Sequence, residues 1–139
     1  MKKIIGTWVL AGLLCFGCGT SAYANQVTDI ESNEITLNFA AISDINYDFT
    51  INNKGKAYYA IDVSTRNADK IKVYMELQQK DGTRWSKVKG KTFTGYDLEE
   101  SFDDYCYVDD ISDTYRVYYR TTIYYGDGKS EQATKYCYE

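Results

Sequence analysis

From Ile45 onward the chain alternates. Ile45, Tyr47, Phe49 and Ile51 take every second position, as do Ala57, Tyr59, Ile61 and Val63, and then Ile71, Val73, Met75 and Leu77. A period of two puts one set of side chains on one face of an extended strand and the other set on the opposite face. No long helical period occurs beyond residue 25, and the whole chain contains no proline. Such a pattern suits antiparallel sheets with one face on a core and one in water.

Turn residues divide the alternation into strands. Ile35, Leu37 and Phe39 form a first short alternating run. Asn52-Asn53-Lys54-Gly55 predicts a turn, and the polar stretch 66–70 a loop. Lys80-Asp81-Gly82-Thr83 predicts a hairpin, because Asp-Gly tolerates positive φ. Trp85 and Val88 are three apart, which predicts a β-bulge. A less regular strand is expected near Leu98–Val108, followed by one with Tyr115, Val117, Tyr119, Thr121, Ile123 and Tyr125 on a single face. Gly126-Asp127-Gly128 then turns the chain into Glu131–Tyr138. About 7–8 strands at this spacing predict an all-β chain folded as a single antiparallel β-sandwich, with a small β-barrel as the alternative. Pairing Tyr125 with Lys129 fixes the register of the last hairpin. It places Tyr136 opposite Tyr118 and Cys137 opposite Val117.

Residues 1–24 read as a cleaved secretory signal. Lys2 and Lys3 supply the positive start, Ile4–Gly17 is mostly apolar, and Ala22-Tyr23-Ala24 is a small-x-small cleavage pattern. The apolar run is short for a membrane span, which needs about 20 residues. Lipidation at Cys15 or Cys18 fits poorly, since neither is preceded by a leucine three residues back with small residues between. Residues 25–139 then form one domain. The leader takes two of the 16 basic residues and none of the 20 acids, which leaves a balance of −6. An acidic domain argues against nucleic acid or an anionic membrane as partner. The expected destination is extracellular.

Two of the four cysteines, Cys106 and Cys137, lie beyond the leader. An exported chain with an even pair usually oxidises it. In an up-and-down strand order the two would share one pole, within the about 5.5–6 Å that a bridge needs between Cα atoms. A Cys106–Cys137 disulfide is therefore expected. It would close a loop of about 31 residues and contribute about 3–4 kcal/mol.

The segment Ile111-Ser112-Asp113-Thr114-Tyr115-Arg116-Val117 resembles the entry to the sixth strand of fibronectin-type-III and other immunoglobulin-like sandwiches, where a tyrosine hydroxyl caps the corner. Over about residues 53–136, "NKGKAYYAIDVS", "IKVYMELQQKDGTRWSKV" and "DTYRVYYRTTIYYGDGKSEQATKY" resemble the small exported immunoglobulin-like domains of Gram-positive bacteria. The resemblance implies a fold and no activity. The acidic stretch 97–113 and the cysteine pair depart from the pattern.

The available chemistry is narrow. The chain has no histidine, which removes imidazole bases and most zinc and copper sites. Gly126-Asp127-Gly128 lacks the lysine and helix of a phosphate loop. The run "GYDLEESFDDYCYVDDISD" concentrates acids, with no cation between Lys91 and Arg116. Its bland interpretation is a solvated loop partly neutralised by Arg84, Lys87, Lys89 and Lys91. Calcium held by Asp103, Asp104, Asp109 and Asp110 is the sharper one, and no other cofactor is expected. No catalytic residue is assigned, and an enzyme is not expected.

The other excess is tyrosine: 15 residues, all but Tyr23 beyond the leader. Tyr58, Tyr74, Tyr118, Tyr124 and Tyr136 fall on the outward phase. Outward rings can stiffen an exposed sheet through cross-strand pairs. They can also stack on a sugar or bury at a protein interface. Tyr118, Arg120, Tyr124 and Tyr136 are the expected contact residues of a secreted, non-catalytic domain that binds an extracellular protein or glycan. The alternative is a structural or oligomerising domain of the cell envelope.

Overall fold

The computed structural model describes residues 39–139. The leader with Cys15 and Cys18, and the alternating run up to residue 38, lie outside the described residues. Seven strands follow: β1 (Ile42–Ile51), β2 (Lys56–Thr65), β3 (Lys70–Asp81), β4 (Arg84–Gly95), β5 (Glu99–Tyr107), β6 (Tyr115–Tyr125) and β7 (Lys129–Tyr138). They form two antiparallel sheets, β1-β2-β5 and β4-β3-β6-β7. Neither sheet closes on itself, so the fold is a β-sandwich and the barrel alternative falls.

The expected punctuation is met residue by residue. Gly55 and Gly82 have positive φ, 77° and 59°, at the two predicted turns. Across the β3–β4 hairpin, Leu77 pairs with Lys89 and Gln78 with Lys87, leaving Val88 as the extra residue of a bulge. The last hairpin keeps the predicted register, with Tyr125 opposite Lys129, Tyr118 opposite Tyr136 and Val117 opposite Cys137.

The inward phases of β1, β2, β3, β6 and β7 fill the space between the sheets, while those of β4 and β5 are only partly buried. Ile45, Ile61, Val63, Ile71, Val73, Met75, Leu77, Val117 and Ile123 are all buried. Burial of each large apolar side chain contributes about 1.5–3 kcal/mol. Tyrosines complete the core where their hydroxyls reach the sheet backbone. Tyr119 Oη donates to the Asp48 carbonyl at 2.6 Å, and its ring meets Tyr47 edge-on at 5.0 Å. Tyr115 Oη donates to the Asp110 carbonyl at 2.8 Å, five residues back, and holds the β5–β6 corner as expected. Among the described residues, two buried side-chain oxygens, Tyr47 Oη and Thr121 Oγ1, have no hydrogen-bond partner.

One buried carboxylate ties the start of the described chain to its end. Glu131 on β7 is almost fully buried. Its oxygens accept from the backbone N–H groups of Ala40 (2.7 Å), Ala41 (3.1 Å) and Ile42 (3.2 Å). Backbone donors are the partners a buried carboxylate needs in order to stay satisfied.

The expected Cys106–Cys137 bond is not formed, and Cys106 is a free thiol. The expectation placed β5, β6 and β7 side by side. Instead β5 pairs with β2, with Cys106 opposite Ala57, and β7 pairs with β6 in the other sheet. Across the sandwich β5 approaches β4, while β7 approaches β1. The two cysteines therefore stand at opposite edges of the fold.

Candidate functional site

The outer face of the four-stranded sheet is organised in cross-strand rows. One row runs Lys87, Gln78, Arg116, Tyr138. The next runs Gly90, Glu76, Tyr118, Tyr136, followed by Thr92, Tyr74, Arg120, Thr134 and by Thr94, Lys72, Thr122, Gln132. Every residue in these rows is on the outward phase, opposite the phase that β3, β6 and β7 commit to the core.

Three of the rows, with Trp85, form a band of interlocking rings and guanidinium groups. Tyr118 and Tyr136 make the predicted cross-strand pair, with centroids 5.0 Å apart. Tyr74 meets Tyr118 at 6.5 Å, and Trp85 meets Tyr138 at 6.0 Å. The Arg116 guanidinium sits 4.1 Å from the Trp85 ring and 4.0 Å from the Tyr136 ring. Arg120 lies 5.3 Å from the Tyr74 ring. Such contacts each contribute about 0.5–1 kcal/mol where exposed.

Hydrogen bonds lock the band from below. Arg116 donates through Nε to Gln78 Oε1 at 2.7 Å and through Nη1 to Tyr138 Oη at 3.2 Å. Gln78 Nε2 donates to Glu76 Oε1 at 2.7 Å, and the Tyr74 hydroxyl donates to Glu76 Oε2. Burial pushes the Tyr74 phenol up, and the Glu76 bond and charge raise it further, to about 12. Tyr74 therefore stays a neutral donor at any physiological pH.

Beside the band lies a depression of about 420 Å³, lined by Lys72, Tyr74, Thr92, Arg120, Thr122, Tyr124, Ser130 and Gln132. It spans all four strands, which at about 4.8 Å per strand makes it about 15 Å across. Its lining holds two cations, five hydroxyls and an amide, with no carboxylate and no aliphatic side chain. Lys70 closes one side, with its ammonium 4.2 Å from the Tyr124 ring.

The outward residues expected from sequence are thus partly united. Tyr118 and Tyr136 belong to the band, Tyr124 to the depression, and Arg120 joins the two. Tyr58 stands on the other sheet, opposite Tyr105. Trp85, Arg116, Gln78, Glu76, Lys72 and Tyr138 join the face without being among the residues expected from sequence. Their signal was available, since they share the outward phase of β3, β4, β6 and β7 once the strand order is known.

The acidic stretch is dispersed. Asp103 is on the outward phase of β5. Asp104 points the other way and forms an ion pair with Lys89 of β4 at 2.7 Å, the only one among the described residues. Asp110 accepts from the Ser112 backbone and hydroxyl in the β5–β6 loop, and these bonds hold its carboxyl below the ordinary range. Asp109 lies in the same loop. No group of three or more carboxylates or thiols among the described residues is placed to hold a metal ion.

The outward phase of the three-stranded sheet carries Asp44, Asp48, Asp62, Glu99 and Asp103 against the single cation Lys56. The four-stranded face has the opposite sign. Lys70, Lys72, Lys87, Arg116 and Arg120 stand there with Glu76 as the one acid in the cross-strand rows. The sandwich separates its charges by face. No protein-family model matches the chain, and no curated protein matches its sequence.

Proposed function

We propose that this chain is an exported, non-catalytic binding module that takes an extracellular ligand on the outer face of its four-stranded sheet. The observation that carries the proposal is the continuous band from Trp85 through Arg116 and Tyr118 to Tyr74 and Arg120, flanked by a polar depression. Rings held at 5.0–6.5 Å spacing, edge-to-face or tilted, present an aromatic surface that is already ordered, so a ligand packing there orders few side chains. A glycan suits the depression better than a protein segment. An extended peptide recruits a sheet edge for its backbone bonds, and this depression crosses strands in the middle of a face.

The finer fold assignment is part of the same proposal: an immunoglobulin-like sandwich of the fibronectin-type-III kind, similar to small exported domains of Gram-positive bacteria. Three strands (first, second and fifth) packed on four, with a tyrosine-capped corner at Tyr115, support it. Residues 1–24 support export.

The experiment is capture of wild-type protein on a panel of immobilised extracellular polysaccharides and secreted proteins. Loss of capture is expected in the Tyr118→Ser/Tyr136→Ser variant, which keeps its fold but melts several degrees lower because ring contacts are lost. Capture indifferent to those substitutions would overturn the assignment of the face.

A second reading, an envelope domain that assembles with itself, is favoured by one observation. The acidic outer face of one copy is complementary in charge to the basic outer face of another.

A further inference from the structure

We infer that the ligand of this face is an acidic polysaccharide, with its anionic groups held by Lys72 and Arg120 and its sugar rings laid on Tyr74 and Tyr124. The inference rests on the binding role proposed above and names the ligand class.

Charge carries the argument. The chain is acidic overall, at −4, yet the depression is lined by two cations and no carboxylate. Neither cation is in an ion pair, because the one ion pair among the described residues is Lys89 with Asp104, on the far side of β4. Lys72 and Arg120 are diagonal neighbours across β3 and β6, since Lys72 faces Thr122 and Arg120 faces Tyr74. That puts their β-carbons about 7–8 Å apart, a separation that two long side chains close around one anionic group. The Arg120 guanidinium also lies 5.3 Å from the Tyr74 ring, which places its charge beside that ring.

The remaining lining selects for sugar. Thr92, Thr122, Ser130 and Gln132 offer donors and acceptors in one shallow layer, and sugar hydroxyls can match both. An acidic peptide would need pockets for apolar side chains, and the depression has no aliphatic wall. A neutral sugar would leave Lys72 and Arg120 unused.

The test is equilibrium binding of the folded protein to four probes. Dextran, carboxymethyl-dextran and dextran sulfate share one backbone and differ in charge, and a single-stranded oligothymidylate of matched charge is the fourth. We expect both charged dextrans to bind and dextran not to bind. Affinity should fall by about tenfold or more between roughly 50 and 300 mM salt. Lys72→Gln and Arg120→Gln should each weaken binding by about tenfold, the size of one lost charged contact. Thr122→Lys, a surface change that adds a cation to the depression, should strengthen it. Preference between the carboxylated and sulfated probes identifies which anionic group the site takes.

Equal binding of dextran would overturn the anionic ligand while leaving a glycan-binding face. Tighter binding of the oligothymidylate would overturn it in favour of nucleic acid. Failure of all three dextrans, with capture of a secreted protein in the panel above, would overturn it while leaving the face functional. Salt-sensitive self-association abolished by Arg120→Gln would overturn it by assigning the face to a second copy of the chain.

Discussion

Tyr74 and Gly90 compete for the same space above the outer sheet. A β-carbon built on Gly90 would stand 2.6 Å from Tyr74 Oη and 3.2 Å from its Cζ. Glycine at position 90 is thus what lets the Tyr74 ring lie down on β4 and reach Glu76. The atom in the way is the far end of a side chain, so Gly90→Ala should fold with a stability change within about 1 kcal/mol. It should nonetheless lift Tyr74 from its seat and weaken ligand binding at the depression. Thermal unfolding with NMR of the Tyr74 ring separates the two effects; unshifted ring resonances would refute the competition.

The two buried hydroxyls of Tyr47 and Tyr119 make opposite predictions. Tyr47 Oη has no partner, and a buried unpaired hydroxyl costs about 1–3 kcal/mol. Tyr47→Phe should therefore raise stability by about 1 kcal/mol, or about 4 °C or more in Tm. Tyr119 Oη donates to the Asp48 carbonyl at 2.6 Å, so Tyr119→Phe should lower stability by about 1 kcal/mol. Calorimetry on the pair checks the sign of each.

The corner bond from Tyr115 to the Asp110 carbonyl at 2.8 Å should act locally. Tyr115→Phe is expected to cost about 1 kcal/mol with the slope of urea unfolding unchanged. Amide exchange should accelerate in residues 108–114 more than elsewhere. Uniform acceleration would mean that the hydroxyl supports the whole core and not the corner.

Asp104 and Lys89 provide a pH-dependent link between the sheets. Burial raises the Asp104 carboxyl, but the bonds from Lys89 and the Tyr105 N–H, with the charges of Lys89 and Lys91, outweigh it and hold the group below the ordinary range. The folded pKa thus lies under the unfolded value of about 3.9, so the charged form favours the fold. That contribution is complete above about pH 5 and is lost as pH falls through the folded value. Lys89 is more than a third exposed, so after screening the pair contributes only about 0.5–1 kcal/mol. Asp104→Asn should lower stability by that amount at about pH 7 in low salt, and by nothing measurable at about pH 2. Urea unfolding at both pH values tests it; an equal loss at both would show that the role of Asp104 is not electrostatic.

The parts of this fold that were legible in the sequence are those set by neighbours in the chain. The bulge at Val88 follows from a break in alternation, and the Tyr118–Tyr136 pair from counting outward from a glycine turn. Periodicity assigns a residue to a face but not to a sheet. Tyr58 and Tyr74 share the outward phase and stand on opposite sides of the molecule, because β2 and β3 belong to different sheets. The same blindness misplaced Cys106: β5 follows β4 in sequence and precedes β6, yet it pairs with β2. The basic face was hidden for a related reason. A net charge sums over both faces, and only the strand order reveals that the acids of β1, β2 and β5 lie on one of them and the cations of β3 and β6 on the other.

Glu131 recognises the chain at residues 40–42 through amide protons alone. From the carboxylate's side, any residue that carries an N–H satisfies the contact, so this attachment constrains composition hardly at all. Proline is the exception, for it has no such proton to give. At these three positions the carboxylate sets a rule of exclusion rather than one of identity, and a chain without a single proline obeys it throughout.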